Sequence, residues 1–176
     1  RKDFLRELIE WYPSQNQALS RGFAPVLGVK AENLFLGNGA TEIIQAVMQH
    51  FVKRKILIPI PTFSSYVEFA PKGVSVIFHQ LKKESGFRLN IQDFLRDAQK
   101  EHPDTVILIN PNNPDGGYLA KQDLYKLISL LKSVPTVILD ESIVHFVNKN
   151  KEDLNGSIKL FKKFPNLIII KSLSKD

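Results

Sequence analysis

The sequence predicts a three-layer α/β/α domain built on a mainly parallel sheet, and three observations carry that prediction. Apolar runs of strand length alternate with helical patterns from Leu34 to the end of the chain. Several runs are unbroken in Val, Ile and Leu, such as Ile56-Leu57-Ile58 and Ile168-Ile169-Ile170, which suits strands covered by helices on both faces. The 176 residues, 43% of them hydrophobic, are enough for one good-sized core.

Taken in order, the chain opens on an amphipathic helical pattern (Phe4, Leu5, Leu8, Ile9). It stops one residue behind Lys175, so it is expected to be the middle of a longer protein. Leu36-Gly37-Asn38-Gly39-Ala40-Thr41-Glu42 precedes a helix expected over 41–52. Its small residues let backbone N–H groups approach an anion, and the helix dipole favours a phosphate there. A plain turn capped by Thr41 or Asn38 accounts for the same residues, and the spacing fits neither a Walker loop nor a dinucleotide fingerprint. A strand over 56–60 runs into Pro61-Thr62-Phe63-Ser64-Ser65-Tyr66, where Phe63 either stacks on a planar ligand or fills the core. Then come a helix over 64–71, a strand over 74–78 and a helix over 91–101, the helices with apolar residues at three- and four-residue spacing.

The strand over 105–110 ends in Asn110-Pro111-Asn112-Asn113-Pro114-Asp115-Gly116-Gly117. A turn needs one Asn and a Gly, so the surplus amide, Asn113, is read as aimed at a ligand. After a helix over 121–132, the strand over 136–139 delivers Asp140 and Glu141. A carboxylate directly behind a buried strand calls for a neighbouring cation, because burial penalises its charge, unless it serves as a helix cap. Adjacent residues in extended structure face opposite ways, so Glu141 is not expected to work with Asp140. A helix over 156–163 leads to the strand over 167–171 and to Ser172-Leu173-Ser174-Lys175. A lysine held at the end of a buried strand presents an amine to an aldehyde; a Ser-capped turn with a solvated lysine is the plain alternative. Ligands of doubly wound sheets bind outside the carboxyl ends of the strands, so Phe63, Asn113, Asp140 and Lys175 are all delivered to one edge.

Lysine plus arginine exceed aspartate plus glutamate by 24 to 18, a net charge of +6. The basic residues are scattered at turns, so the charge fits an anionic small molecule better than nucleic acid. The absence of cysteine excludes a disulfide framework, and four isolated histidines lack the spacing of a structural zinc site, so no metal is expected. No apolar run reaches the roughly 18 residues of a membrane span and no signal-peptide pattern is visible, so a cytoplasmic enzyme is the expectation.

In this order and at these spacings, Asn38-Gly39-Ala40-Thr41-Glu42, Pro61-Thr62-Phe63-x-x-Tyr66, Asn110-Pro111-Asn112-Asn113-Pro114-x-Gly116, Leu139-Asp140-Glu141 and Ser172-Leu173-Ser174-Lys175 resemble a known family. It is the fold-type I pyridoxal phosphate enzymes, class I/II aminotransferases, in the branch that includes histidinol-phosphate aminotransferase. The resemblance covers nearly the whole chain. It implies the cofactor-binding large domain of the aspartate aminotransferase-like fold over 34–176, incomplete at both ends, behind an N-terminal helical or interdomain segment over 1–33. It also implies pyridoxal 5′-phosphate bound as a Schiff base to Lys175, which then shuttles a proton at the substrate Cα. By the same resemblance Asp140 keeps the pyridine nitrogen protonated, Asn113 donates to the phenolic oxygen and Phe63 stacks on the ring. Gly39, Ala40, Thr41, Ser172 and Ser174 hold the phosphate. Tyr12 reaches the phosphate of the neighbouring subunit, which implies a homodimer with shared sites.

The implied reaction is transamination between an amino acid, or a phosphorylated amino compound, and a 2-oxo acid, in amino acid biosynthesis. Two positions depart from the family pattern: Ile143 replaces a tyrosine three residues after the aspartate, and Asp115 replaces the usual threonine of the amide turn. The arginines that bind the cofactor phosphate and the substrate carboxylate are expected beyond Asp176. A decarboxylase of the threonine-phosphate type shares most of these motifs and can carry Phe rather than Tyr at the position of Ile143. A catalytically inactive binding domain of the same fold is the third reading, opposed by the intact Lys175 and Asp140.

Overall fold

The computed structural model describes residues 15–147 and 157–175. Two compact units divide the chain, Arg1–Gly37 and Asn38–Asp176. In the first, helix α1 (Asn16–Leu27) ends at Gly28, whose left-handed backbone (φ 64°) closes the last turn. The buried Ser20 hydroxyl of α1 donates to Leu34 O at 2.7 Å.

The second unit alternates helix and strand throughout. Its elements are α2 (Ala40–Phe51), β1 (Lys55–Ile60), α3 (Ser65–Glu68), β2 (Ser75–Gln80), α4 (Ile91–Glu101), β3 (Thr105–Ile109), α5 (Lys121–Leu130), β4 (Thr136–Asp140), α6 (Ile158–Phe161) and β5 (Leu167–Ile170). Helix α4 starts where the Asn90 side chain accepts from Gln92 N and Asp93 N, at 3.0 and 3.1 Å. The third and sixth helices are half as long as the spacing predicts. Pro71 and Gly73 follow α3 closely and forbid further turns.

The five strands form one parallel sheet in the order β2-β1-β3-β4-β5. Alternate residues face opposite ways, which sorts the apolar strands into two cores. Leu57, Val106, Leu108, Val137, Leu139 and Leu167 pack with Phe94, Leu124, Leu127 and Leu160 on the α4, α5 and α6 side. Ile56, Ile58, Ile107, Ile138 and Ile170 pack with Ile44, Val47, Met48 and Tyr66 on the α2 and α3 side. Burial on both faces is why the strands read as unbroken apolar runs. No helix among the described residues is long and apolar enough to cross a membrane.

The order of strands reverses direction between β1 and β3, the place where open α/β sheets bind ligands. The β1–β3 ladder pairs Ile56 with Thr105 and Leu57 with Val106, and stops before Pro59, which has no N–H to extend it. Beyond the break, Asn112 joins the two strand ends. Its Nδ2 donates to Pro61 O at 2.8 Å, and its Oδ1 accepts from the Thr62 hydroxyl at 3.2 Å.

Candidate active site

Asp140 is the last residue of β4, 3% exposed, and lies level with Ile109 of β3 and Ile170 of β5. Alternation along β4 turns it to the same face as Ile138, toward α3. There the Tyr66 hydroxyl donates to Asp140 Oδ2 at 2.6 Å, and Ser142 N donates to Oδ1 at 2.8 Å. The second bond closes a local turn and caps no helix, since Ile143 stands at the cap of the 3-10 turn Val144–Phe146 that follows; the first is a contact the sequence does not announce. Burial, reinforced by the charge of Asp140 and by their hydrogen bond, holds the Tyr66 phenol well above its ordinary value. Tyr66 therefore stays protonated and remains a donor.

Removing that donor has a measurable cost. Tyr66→Phe in the full-length protein is expected to lose about 1.5–3 kcal/mol in urea unfolding, the range for a hydrogen bond to a charged group. A loss below about 0.5 kcal/mol would show the bond to be idle. Because the folded value is raised, this stabilisation is fully present below the unfolded tyrosine value near pH 10 and is lost as the pH rises through the folded one. The parent and the Tyr66→Phe variant should thus converge in stability only in strongly alkaline solution.

The turn before α2 holds its glycine for a backbone reason. Gly39 has φ 85°, which an L side chain adopts only under strain, and a Cβ there would meet open space. No side chain caps the first turn of α2 from the Gly39 position; the Glu42 carboxylate instead takes the Asn38 N–H. Neither Thr41 nor Asn38 is the cap. Thr41 is exposed and Ala40 half-buried at the start of this twelve-residue helix.

Phe63 is half-buried against the α2–α3 core, so the ring serves partly as packing. Of the two amides in the turn after β3, Asn112 is buried and taken up by the turn, whereas Asn113 is exposed. Asp115 has a structural role in that turn: Oδ1 accepts from Gly117 N at 2.8 Å and Oδ2 from Asn112 Nδ2 at 3.1 Å. The Ser172 and Ser174 hydroxyls lie 3.1 Å apart behind β5, the first buried and the second exposed. Lys175 is exposed and has no ion pair among the described residues. Ile143 is half-buried and begins the 3-10 turn Val144–Phe146. Tyr12 lies outside the described residues.

Sequence reasoning also passed over Glu141. It is 4% exposed, accepts the Ser157 hydroxyl at Oε1, and has Lys171 Nζ 3.1 Å from Oε2. Among the described residues no group of three or more His, Cys, Asp or Glu side chains could hold a metal ion.

These residues fit pyridoxal phosphate. Asp140 is a buried carboxylate with each oxygen anchored by one donor and lone pairs to spare for a cationic N–H. The uncapped start of α2 and the paired hydroxyls of Ser172 and Ser174 suit a phosphate.

The sequence profile of the aminotransferase class I and II family matches residues 5–176. An L-serine phosphate decarboxylase of Campylobacter jejuni is 52% identical over 98% of this chain, which spans 44% of that relative's length. The solved structure of a decarboxylase from Sulfurospirillum multivorans superposes with a TM-score of 0.90 at 43% identity, over 99% of this chain and 45% of that one. A histidinol-phosphate aminotransferase structure from Clostridium acetobutylicum gives 0.80 at 30% identity, over 99% and 50%. The likeness to decarboxylases overturns the expectation of an aminotransferase, and with it the pairing of an amino donor with a 2-oxo acid. The physical reason is that every recognisable motif here is one the resemblance assigns to holding the cofactor, and both reaction types need those motifs. Which bond at Cα breaks is set by the groups that orient the substrate, and the motifs do not include them. The profile match over nearly the whole chain, on this parallel sheet with its strand-end carboxylate and lysine, places the protein in the aminotransferase class I and II family of pyridoxal phosphate-dependent enzymes.

Proposed function

We propose that the full-length protein is a pyridoxal phosphate-dependent decarboxylase of a phosphorylated hydroxy-amino acid, with L-serine phosphate as the substrate to test. The observation that carries this reading is the 52% identity to an L-serine phosphate decarboxylase across 98% of the chain. When bound, the cofactor supplies a sink for the electron pair released at Cα. Lys175 Nζ holds the cofactor and then delivers a proton to Cα at the position the carboxylate leaves. The Cα–carboxylate bond breaks, carbon dioxide departs, the proton takes its place, and the phosphate ester is carried unchanged into an aminoethyl phosphate. Asp140 would hold the positive N–H of the pyridine, its two oxygens kept in place by Tyr66 and Ser142 N. Gly39, Ala40 and Thr41 at the start of α2, with Ser172 and Ser174, would hold the cofactor phosphate. Asn113 would donate to the phenolic oxygen and Phe63 would pack against the ring. Ile143 offers only hydrocarbon where the family pattern has a hydroxyl.

Full-length protein loaded with pyridoxal phosphate should release carbon dioxide from L-serine phosphate and form aminoethyl phosphate in equal amounts. Formation of a 2-oxo acid from that substrate in place of carbon dioxide would sink the reading. Bound cofactor with no turnover of any phosphorylated amino acid would favour the inactive binding domain.

The shared site of a homodimer is part of the proposal, through Tyr12. Mixing an inactive Lys175→Ala protein with an inactive Tyr12→Ala protein should restore activity, since one site of each mixed dimer is intact. Mixed dimers that form and stay inactive would count against Tyr12 reaching across.

A further inference from the structure

We infer that Glu141 and Lys171 are positioning residues, a buried clasp that sets the direction of Asp140 and the point where the turn bearing Lys175 leaves β5. The inference rests on the cofactor reading above. Glu141 follows Asp140 directly, and Lys171 stands between β5 and the turn over 172–175. Glu141 Oε1 takes the Ser157 hydroxyl ahead of α6, Lys171 Nζ lies 3.1 Å from Oε2, and Glu141 N donates to Ile170 O at 2.8 Å. One residue thus joins the tips of β4 and β5 and the start of α6.

Among the described residues Oε2 accepts no hydrogen bond, the ammonium 3.1 Å away included. The pair is therefore held by charge. Both partners are largely out of water, with side-chain exposures of 17% for Lys171 and 4% for Glu141. Buried pairs are seldom better for stability than well-packed apolar residues, so stability alone does not account for two charges here. What a pair does provide is a fixed geometry. Neighbouring residues at a strand end face opposite ways, so pinning Glu141 toward α6 turns Asp140 toward α3 and Tyr66. Pinning Lys171 to the same carboxylate ties the amine's turn to the tip of β4. A functional carboxylate and amine must be held within about half an ångström of their working geometry, which a supporting shell of this kind supplies.

The test uses full-length protein with pyridoxal phosphate and four variants: Lys171→Arg, Lys171→Met, Glu141→Gln, and Glu141→Gln with Lys171→Met. Four readouts are thermal midpoint, cofactor affinity, the visible circular dichroism band of the bound cofactor, and the half-reaction rate. Lys171→Met strands a buried carboxylate and should lower the midpoint, whereas the double variant, with both charges gone, should recover it. If the clasp positions, the double variant still shows an altered dichroism band and a rate lowered by about a hundredfold, the scale of a misplacement near 1 Å, while Lys171→Arg resembles the parent in all readouts. A double variant with parental midpoint, dichroism and rate would overturn the inference, leaving the pair as mere charge compensation. So would a Lys171→Arg protein as impaired as Lys171→Met. Parent protein whose borohydride-fixed pyridoxyl group is not on Lys175 would instead overturn the cofactor reading, and the clasp with it.

Discussion

In the full-length protein, Lys175→Ala is expected to lower kcat/KM by at least about a thousandfold, because in the proposed reaction it removes both the nucleophile and the proton donor, and positioned proton transfer alone contributes roughly 10²–10⁴. The structure sets Lys175 at the end of the turn behind β5, exposed, with Ser172 and Ser174 just before it. No buried contact is lost with the side chain, so the thermal midpoint of the apo-protein should stay within the small range of a surface substitution. Borohydride reduction of the parent, followed by peptide mapping, should place the pyridoxyl group on Lys175. A label on another lysine, or a variant that turns over within tenfold of the parent, ends the assignment.

Asp140→Ala is expected to lower the half-reaction rate by about a hundredfold or more, the scale of deleting one preorganised electrostatic partner of a developing charge. Cofactor binding should persist, since in the proposed site other groups hold the phosphate. Stability reports on a second consequence. The alanine leaves the buried Tyr66 hydroxyl without an acceptor, at a cost of about 1–3 kcal/mol. Asp140→Asn keeps an acceptor for Tyr66 and removes only the charge. The Asn form should therefore be slow like the Ala form and closer to the parent in stability. An Asn form with parental rate would make Asp140 an anchor for Tyr66 and the Ser142 turn, with no part in catalysis.

Transamination and decarboxylation were not distinguishable in the residues, for a reason the site makes plain. Asp140, Asn113, Phe63 and the 172–175 turn stand at strand ends and, in the proposed reaction, address the cofactor. A cofactor of one structure asks for the same groups whichever bond at Cα breaks. Ile143 and Asp115 were visible as departures. Asp115 proved to be a turn residue, satisfied by Gly117 N and Asn112.

The sequence by itself determined the alternation of elements, the two-sided burial of the strands and the identity of the residue at each strand end. These are short-range properties: a period of two or 3.6, a proline, a run of Val and Ile, read within windows of a dozen residues. All five strands were placed to within two residues for that reason. Only the tertiary structure decided the strand order β2-β1-β3-β4-β5, the ladder that breaks before Pro59, and which amide of Asn112 and Asn113 is taken up by the turn. It alone decided that Tyr66 meets Asp140 across a separation of 74 residues, and that Glu141 meets Lys171. Such pairings depend on which strands become neighbours and on which face each side chain takes, and no local periodicity carries that information, because it exists only once the sheet has closed around its two cores.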